Sequence, residues 1–101
     1  MKCPKMYVLV RKDFAEIYRA VQGGHALAAY ALKYPIEFRE WKNSTLVYLG
    51  IWYPIGLSEW EEKLKEAGKS YACFYEPDQN DAITGIACYD TGEIFKELSL
   101  A

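Results

Sequence analysis

Apolar and polar positions along the chain switch between a period of two and a period near 3.6, and the switches mark the elements. The run MYVLVR (6–11) is β-branched, aromatic and nearly continuous, which predicts a first strand covered on both faces. Asp13 stands where an N-cap would, with Glu16 three residues on, and a helix is expected from there to about Lys33. Phe14, Ile17, Val21, Gly24, Ala28 and Ala31 recur at helical spacing and are its expected core face. Tyr34-Pro35 ends it, because a residue before proline avoids the helical region. A short helix over 36–42 and a turn at Asn43-Ser44 come next. A second strand over 45–51 and a loop over 52–56 follow. Ser58 and Glu61 form an S-x-x-E capping box that opens a helix over 59–67, with Gly68 as its C′ residue. Strands over 70–76 and 82–89 flank the turn-rich PDQND (77–81). Thr91-Gly92 breaks the last strand, and EIFKEL (93–98) predicts a short final helix.

This order, β-α-α-β-α-β-β, predicts an α/β protein: a four-stranded mixed sheet between helices, three layers in all, in one domain over 1–101. The crossovers should be right-handed, and the short link between the last two strands makes that pair antiparallel.

Composition narrows the classes. The chain has 101 residues, 51% hydrophobic and 16% aromatic, enough for one core. No apolar run approaches the roughly 20 residues of a membrane span, and the start lacks a signal peptide's long apolar segment and cleavage site. An odd set of cysteines (Cys3, Cys73, Cys88) without C-x-x-C, beside a single histidine, reads as reduced thiols in a cytoplasmic protein with no metal site. The net charge of −2 hides an asymmetry. Residues 1–42 carry eight Lys/Arg against four Asp/Glu, and 43–101 carry four against ten. A basic half can meet phosphate, although solvated charged faces give the same pattern. Phosphate-loop, dinucleotide and nucleophile-elbow motifs are all missing.

Candidate chemistry lies in two stretches. In AVQGGHALAAY (20–30), two glycines interrupt a helix, each at roughly 1 kcal/mol against alanine, so a close approach is expected there. Tyr18, Gln22, His25 and Ala29 share one stripe, offset from the apolar face. Gln22 and His25 therefore either face a cleft rim or form a polar pair at a packing boundary. In YEPDQND (75–81), Glu76, Asp78 and Asp81 could orient water or accept protons, or they could serve the turn alone.

YVLVRKDF, AVQGGHALAAY and EPDQNDAITGIA together resemble the type 2 peptidyl-tRNA hydrolase family over almost the whole chain. The family's V-R-x-D-L strand end is matched by Val10, Arg11, Lys12, Asp13 and Phe14, and its A-A-Q-x-x-H-A helix by residues 20–26. The resemblance implies hydrolysis of the ester joining a peptide to the 3′ end of tRNA. It also implies tRNA as partner, no cofactor, and a homodimer. Asp78, His25 and Gln22 are the expected catalytic residues, with Arg11, Lys12, Arg19, Tyr18, Asn80 and Thr84 on the substrate. The family's lysine four positions before the glutamine is Tyr18 here, and the loop after Asp78 is shorter. A second expectation is accordingly a non-catalytic relative that binds tRNA or protein on the same scaffold.

Overall fold

The computed structural model describes residues 3–52 and 55–101, so Tyr53 and Pro54 of the predicted 52–56 loop lie outside the described residues. The elements are β1 (Lys5–Arg11), α1 (Glu16–Lys33), α2 (Pro35–Trp41), β2 (Leu46–Ile51), α3 (Leu57–Glu66), β3 (Tyr71–Glu76), β4 (Ala82–Asp90) and β5 (Ser99–Leu100). Single 3₁₀ turns stand at Pro77–Gln79 and Glu93–Phe95.

The sheet is mixed and five-stranded, in the order β3-β4-β1-β2-β5, rather than four-stranded. β5 pairs antiparallel with β2 through Leu49–Leu100 and Gly50–Ser99. Two residues are too few to show a period of two, which is why the pattern misses this strand. The predicted final helix over 93–98 is only the 3₁₀ turn: Gly92 sits at φ +96° with its N–H on the Asp90 carboxylate, and the chain then turns into β5.

β1 and β2 are parallel, with α1 and α2 between them, and β4 runs antiparallel to both β1 and β3. The C-terminal ends of β1, β2 and β3 and the start of β4 thus share one edge of the sheet. The chain leaves β1 for β2 on one side and leaves β2 for β3 beyond β4 on the other. Such a reversal opens a crevice at the carboxyl ends of the strands.

β1 is buried on both faces, as its continuous apolar run predicts. Met6, Val8 and Val10 cluster with Ala26 and Tyr30 of α1 and Trp41 of α2. Leu9, facing the other way, clusters with Leu57, Trp60 and Leu64 of α3 and with Phe95. The radius of gyration, 12.5 Å, is that of a folded domain of this length, for which about 13 Å is usual.

Two helix starts differ from expectation. Asp13 does not cap α1; the N-cap is Ala15, without a side-chain bond, because the Asp13 carboxylate is taken by Arg11. α3 begins two residues early, at Leu57: Gly56 is the N-cap and donates its N–H to Glu59 Oε2 at 3.0 Å. Gly68 closes α3 at φ +69°, as expected of a C′ glycine.

The phase of α1 is the larger correction. Gln22, Gly23, Ala26 and Tyr30 are its buried residues. The expected core face points outward instead, with Ile17 77% and Val21 47% exposed, as is Leu32 at 86%. The two glycines separate in the same way. A Cβ on Gly23 would collide with the Tyr48 ring, whereas a Cβ on Gly24 would meet nothing within 4 Å. The tightest backbone approach is at Gly85 of β4, where a Cβ would lie 2.8 Å from the Gln22 carbonyl oxygen.

Candidate functional site

The shared sheet edge gathers most of the candidate residues. Arg11 ends β1 and forks onto the Asp13 carboxylate, and its guanidinium lies 4.2 Å over the Phe14 ring. That hydrogen bond holds Asp13 below the usual carboxylate range and raises Arg11 further. Arg19, in the first turn of α1, donates from Nε to the Phe14 carbonyl at 2.8 Å. Tyr18 packs edge-on against the same Phe14 ring. Lys12 runs its methylenes past Gly50 and holds its ammonium 5.8 Å over the Trp52 ring. Lys12, Glu16, Arg19 and Tyr48 line one recess of about 510 Å³.

Gln22 is fully buried rather than at a rim, and it is doubly engaged. Its Oε1 accepts from the Thr84 hydroxyl of β4, and its Nε2 donates to Glu76 Oε1 at 2.9 Å. Thr84 is also fully buried. A buried amide is tolerated only when its donors and acceptors are met, so this chain of contacts ties α1 to the ends of β3 and β4. The other oxygen of Glu76 receives the backbone N–H of Asp78 at 3.5 Å. The network therefore positions the turn that carries Asp78.

Asp78 and Asn80 are exposed on that turn. Asn80 and Asp81 adopt left-handed backbone conformations (φ +55° and +58°), which these residue types accept readily, and Asp81 N–H closes the hairpin onto the Glu76 carbonyl at 3.0 Å. Their residue types thus follow from turn geometry. His25 lies one turn beyond Gln22 and is exposed; its ring stacks on Phe74 of β3, with centroids 4.3 Å apart and planes at 12°. Among the described residues no hydrogen bond joins it to Glu76 or Asp78.

The structure therefore brings Gln22 and Thr84 together and places Asp78 beside their network. It leaves His25 on a stacking contact and sets Arg11, Lys12, Arg19 and Tyr18 around the start of α1. Sequence reasoning names Glu76 among the carboxylates but not as the partner of Gln22. The available signal is its position as the last residue of a strand next to Pro77-Asp78.

A second recess, of about 480 Å³, opens on the same edge beside α3. Arg11, Asp13, Ile51, Trp52, Ile55 and Ile83 are among its walls. Its walls are mostly apolar with a few polar groups, a composition common in ligand pockets. Among the described residues no group of three or more His, Cys, Asp and Glu could hold a metal, and no helix is long and apolar enough to cross a membrane. No protein-family model matches the chain, and no curated protein is significantly similar to it.

Proposed function

We propose that the chain hydrolyses the ester of peptidyl-tRNA, or of a related N-blocked aminoacyl-tRNA, on a three-layer α/β/α scaffold of the type 2 peptidyl-tRNA hydrolase kind. The Thr84–Gln22–Glu76 network carries this reading. It is a buried polar device that fixes an exposed carboxylate, Asp78, at the strand-end edge where α/β proteins place ligands.

In the reaction, Asp78 takes a proton from a water whose oxygen attacks the ester carbonyl carbon. The tetrahedral intermediate then collapses, the bond to the tRNA 3′ oxygen breaks, and that oxygen takes the proton back. Products are a free carboxyl and a free 3′ hydroxyl. Gln22 and Thr84 position rather than react, since their polar atoms are committed to each other and to Glu76. Lys12 and Arg19, with Arg11 across the loop, meet backbone phosphates near the start of α1.

A second reading, a tRNA- or protein-binding domain without turnover, is favoured by Tyr18. It fills the place of the family's lysine and packs on Phe14, so that turn of α1 supplies no ammonium.

Release of free tRNA from N-acetyl-aminoacyl-tRNA tests both readings. Turnover that falls at least tenfold in Asp78→Asn, with the fold intact, supports the esterase. Turnover equal to the parent removes Asp78 from the mechanism; if Glu76→Gln abolishes it instead, the carboxylate role moves to Glu76. No turnover, with salt-dependent tRNA binding, selects the second reading.

A further inference from the structure

The basic recess and the apolar recess of the strand-end edge have opposite chemistry. The one at the start of α1 holds Lys12 and Arg19 beside Glu16 and Tyr48. The one beside α3, about 480 Å³, is walled mainly by Ile51, Trp52, Ile55, Leu57 and Ile83. That volume lies within the roughly 300–1,000 Å³ of ligand pockets. Its one cation among the described residues, Arg11, is forked onto Asp13, and Glu59 accepts the Gly56 N–H. The recess therefore holds no unmatched positive charge to receive an acidic group. Trp52 and Ile55 are 61% and 46% exposed, although tryptophan is usually well covered.

We propose that the apolar recess receives the side chain of the amino acid esterified to tRNA, so that esters of large apolar residues are preferred over those of glycine and of acidic residues. This rests on the ester substrate proposed above and adds its specificity. Such an ester joins a polyanion to an uncharged acyl chain. The polyanion belongs with Lys12 and Arg19, and the acyl side chain with the apolar walls. Lys12 links the two recesses: its ammonium lies 5.8 Å over the ring of Trp52, which walls the apolar one.

β4 ties the recess to the reacting group. Ala82 and Ile83 open that strand and line the recess, and Ala82 pairs with Glu76, whose carboxylate receives the Asp78 N–H. The pairing of β3 with β4 passes from Phe74–Gly85 to Tyr75–Ile83, so Thr84 is the extra residue of a bulge. The bulge turns Thr84 to Gln22 on the α1 side and keeps Ile83 on the α3 side, against the core below the recess. One local irregularity thus serves both the buried network and the recess wall. The turn holding Asp78 borders the recess, and an ester spanning the two faces brings its carbonyl to the edge that Asp78 shares. A further recess of about 330 Å³ shares Ile51, Trp52 and Ile55 and continues past Trp60 to Leu98. The apolar surface therefore extends beyond the esterified residue to the one before it.

Calorimetric binding of stable analogues tests the recess apart from turnover. The probe is a short single-stranded RNA whose terminal 3′-amino-3′-deoxyadenosine carries N-acetyl-phenylalanine, N-acetyl-glycine or N-acetyl-aspartate through an amide. The phenylalanyl analogue should bind at least about tenfold tighter than the other two, the scale of an apolar group in a matched pocket. Ile55→Asp, at an exposed wall position, should bring that ratio close to unity, and Ile83→Ala should lower it, with circular dichroism checking the fold. Equal affinities for the three analogues overturn the proposal. So does a lack of measurable binding by any of them, and so does a preference unchanged in both variants. A preference found without turnover of N-acetyl-phenylalanyl-tRNA keeps the recess assignment and removes the hydrolysis.

Discussion

Gln22 shows how much one buried amide can decide. Replaced by leucine, it leaves the Thr84 hydroxyl buried without an acceptor, while half-buried Glu76 regains water. An unsatisfied buried polar group costs about 1–3 kcal/mol, so Gln22→Leu should lower unfolding stability in urea by that much. Removing both members of a buried pair is far milder than removing one. Gln22→Leu combined with Thr84→Val should therefore recover most of the loss, and a double-mutant cycle reads the coupling directly. Recovery of stability without recovery of tRNA release would separate the network's structural role from its positioning of Asp78. Glutamine at this point of a helix is legible as a singular residue, but its burial is not. The sequence places it beside a small-residue stretch, and only the tertiary register at Gly85 brings Thr84 and Glu76 against it.

At the scale of elements, the boundaries of β1 to β4 and of α1 and α2 follow closely from the pattern, whereas β5 and the orientation of α1 do not. Residues 20–32 are small or apolar on nearly every side, so periodicity alone finds two candidate core faces. The chain buries the one holding Gln22, Gly23, Ala26 and Tyr30. The other face is equally regular and stays exposed at Ile17, Val21, Gly24, Ala28 and Leu32. Asp13 fails as a cap for a similar reason: a side chain two residues away, Arg11, offers its carboxylate a stronger partner. The adjacent glycines give this orientation a sharp check. Gly23→Ala forces the Tyr48 ring to move and should destabilise by about 1–3 kcal/mol, the usual range for overpacking. Gly24→Ala meets open space and should stabilise the fold by up to about 1 kcal/mol. Thermal melts should therefore shift in opposite directions by several degrees, about 4–8 °C per kcal/mol at this size.

For the molecule as a whole, the sheet buries titratable groups whose ionisation opposes folding. Desolvation pushes the Cys73 and Cys88 thiols from 9.0 to about 12 and raises the Tyr30 phenol. The folded state thus holds these protons more tightly than the unfolded chain. The stability they contribute is fully present below about pH 9, and it is lost as pH climbs from 9 toward 12. The melting temperature should fall steadily across that window, and a Cys88→Ala variant should show a shallower decline, whatever its starting value. The strand order has a different consequence, one of timing. β1 occupies the middle of the sheet, yet its register on one side runs from Lys5 against Asp90 to Val10 against Gly85. On the ribosome, β1 must keep one hydrogen-bonding edge open until β4 (Ala82–Asp90) has emerged. Long-range pairing of this kind makes folding slow and exposes apolar edges to nascent neighbours, so the sheet can close only once residues 82–90 are free to pair.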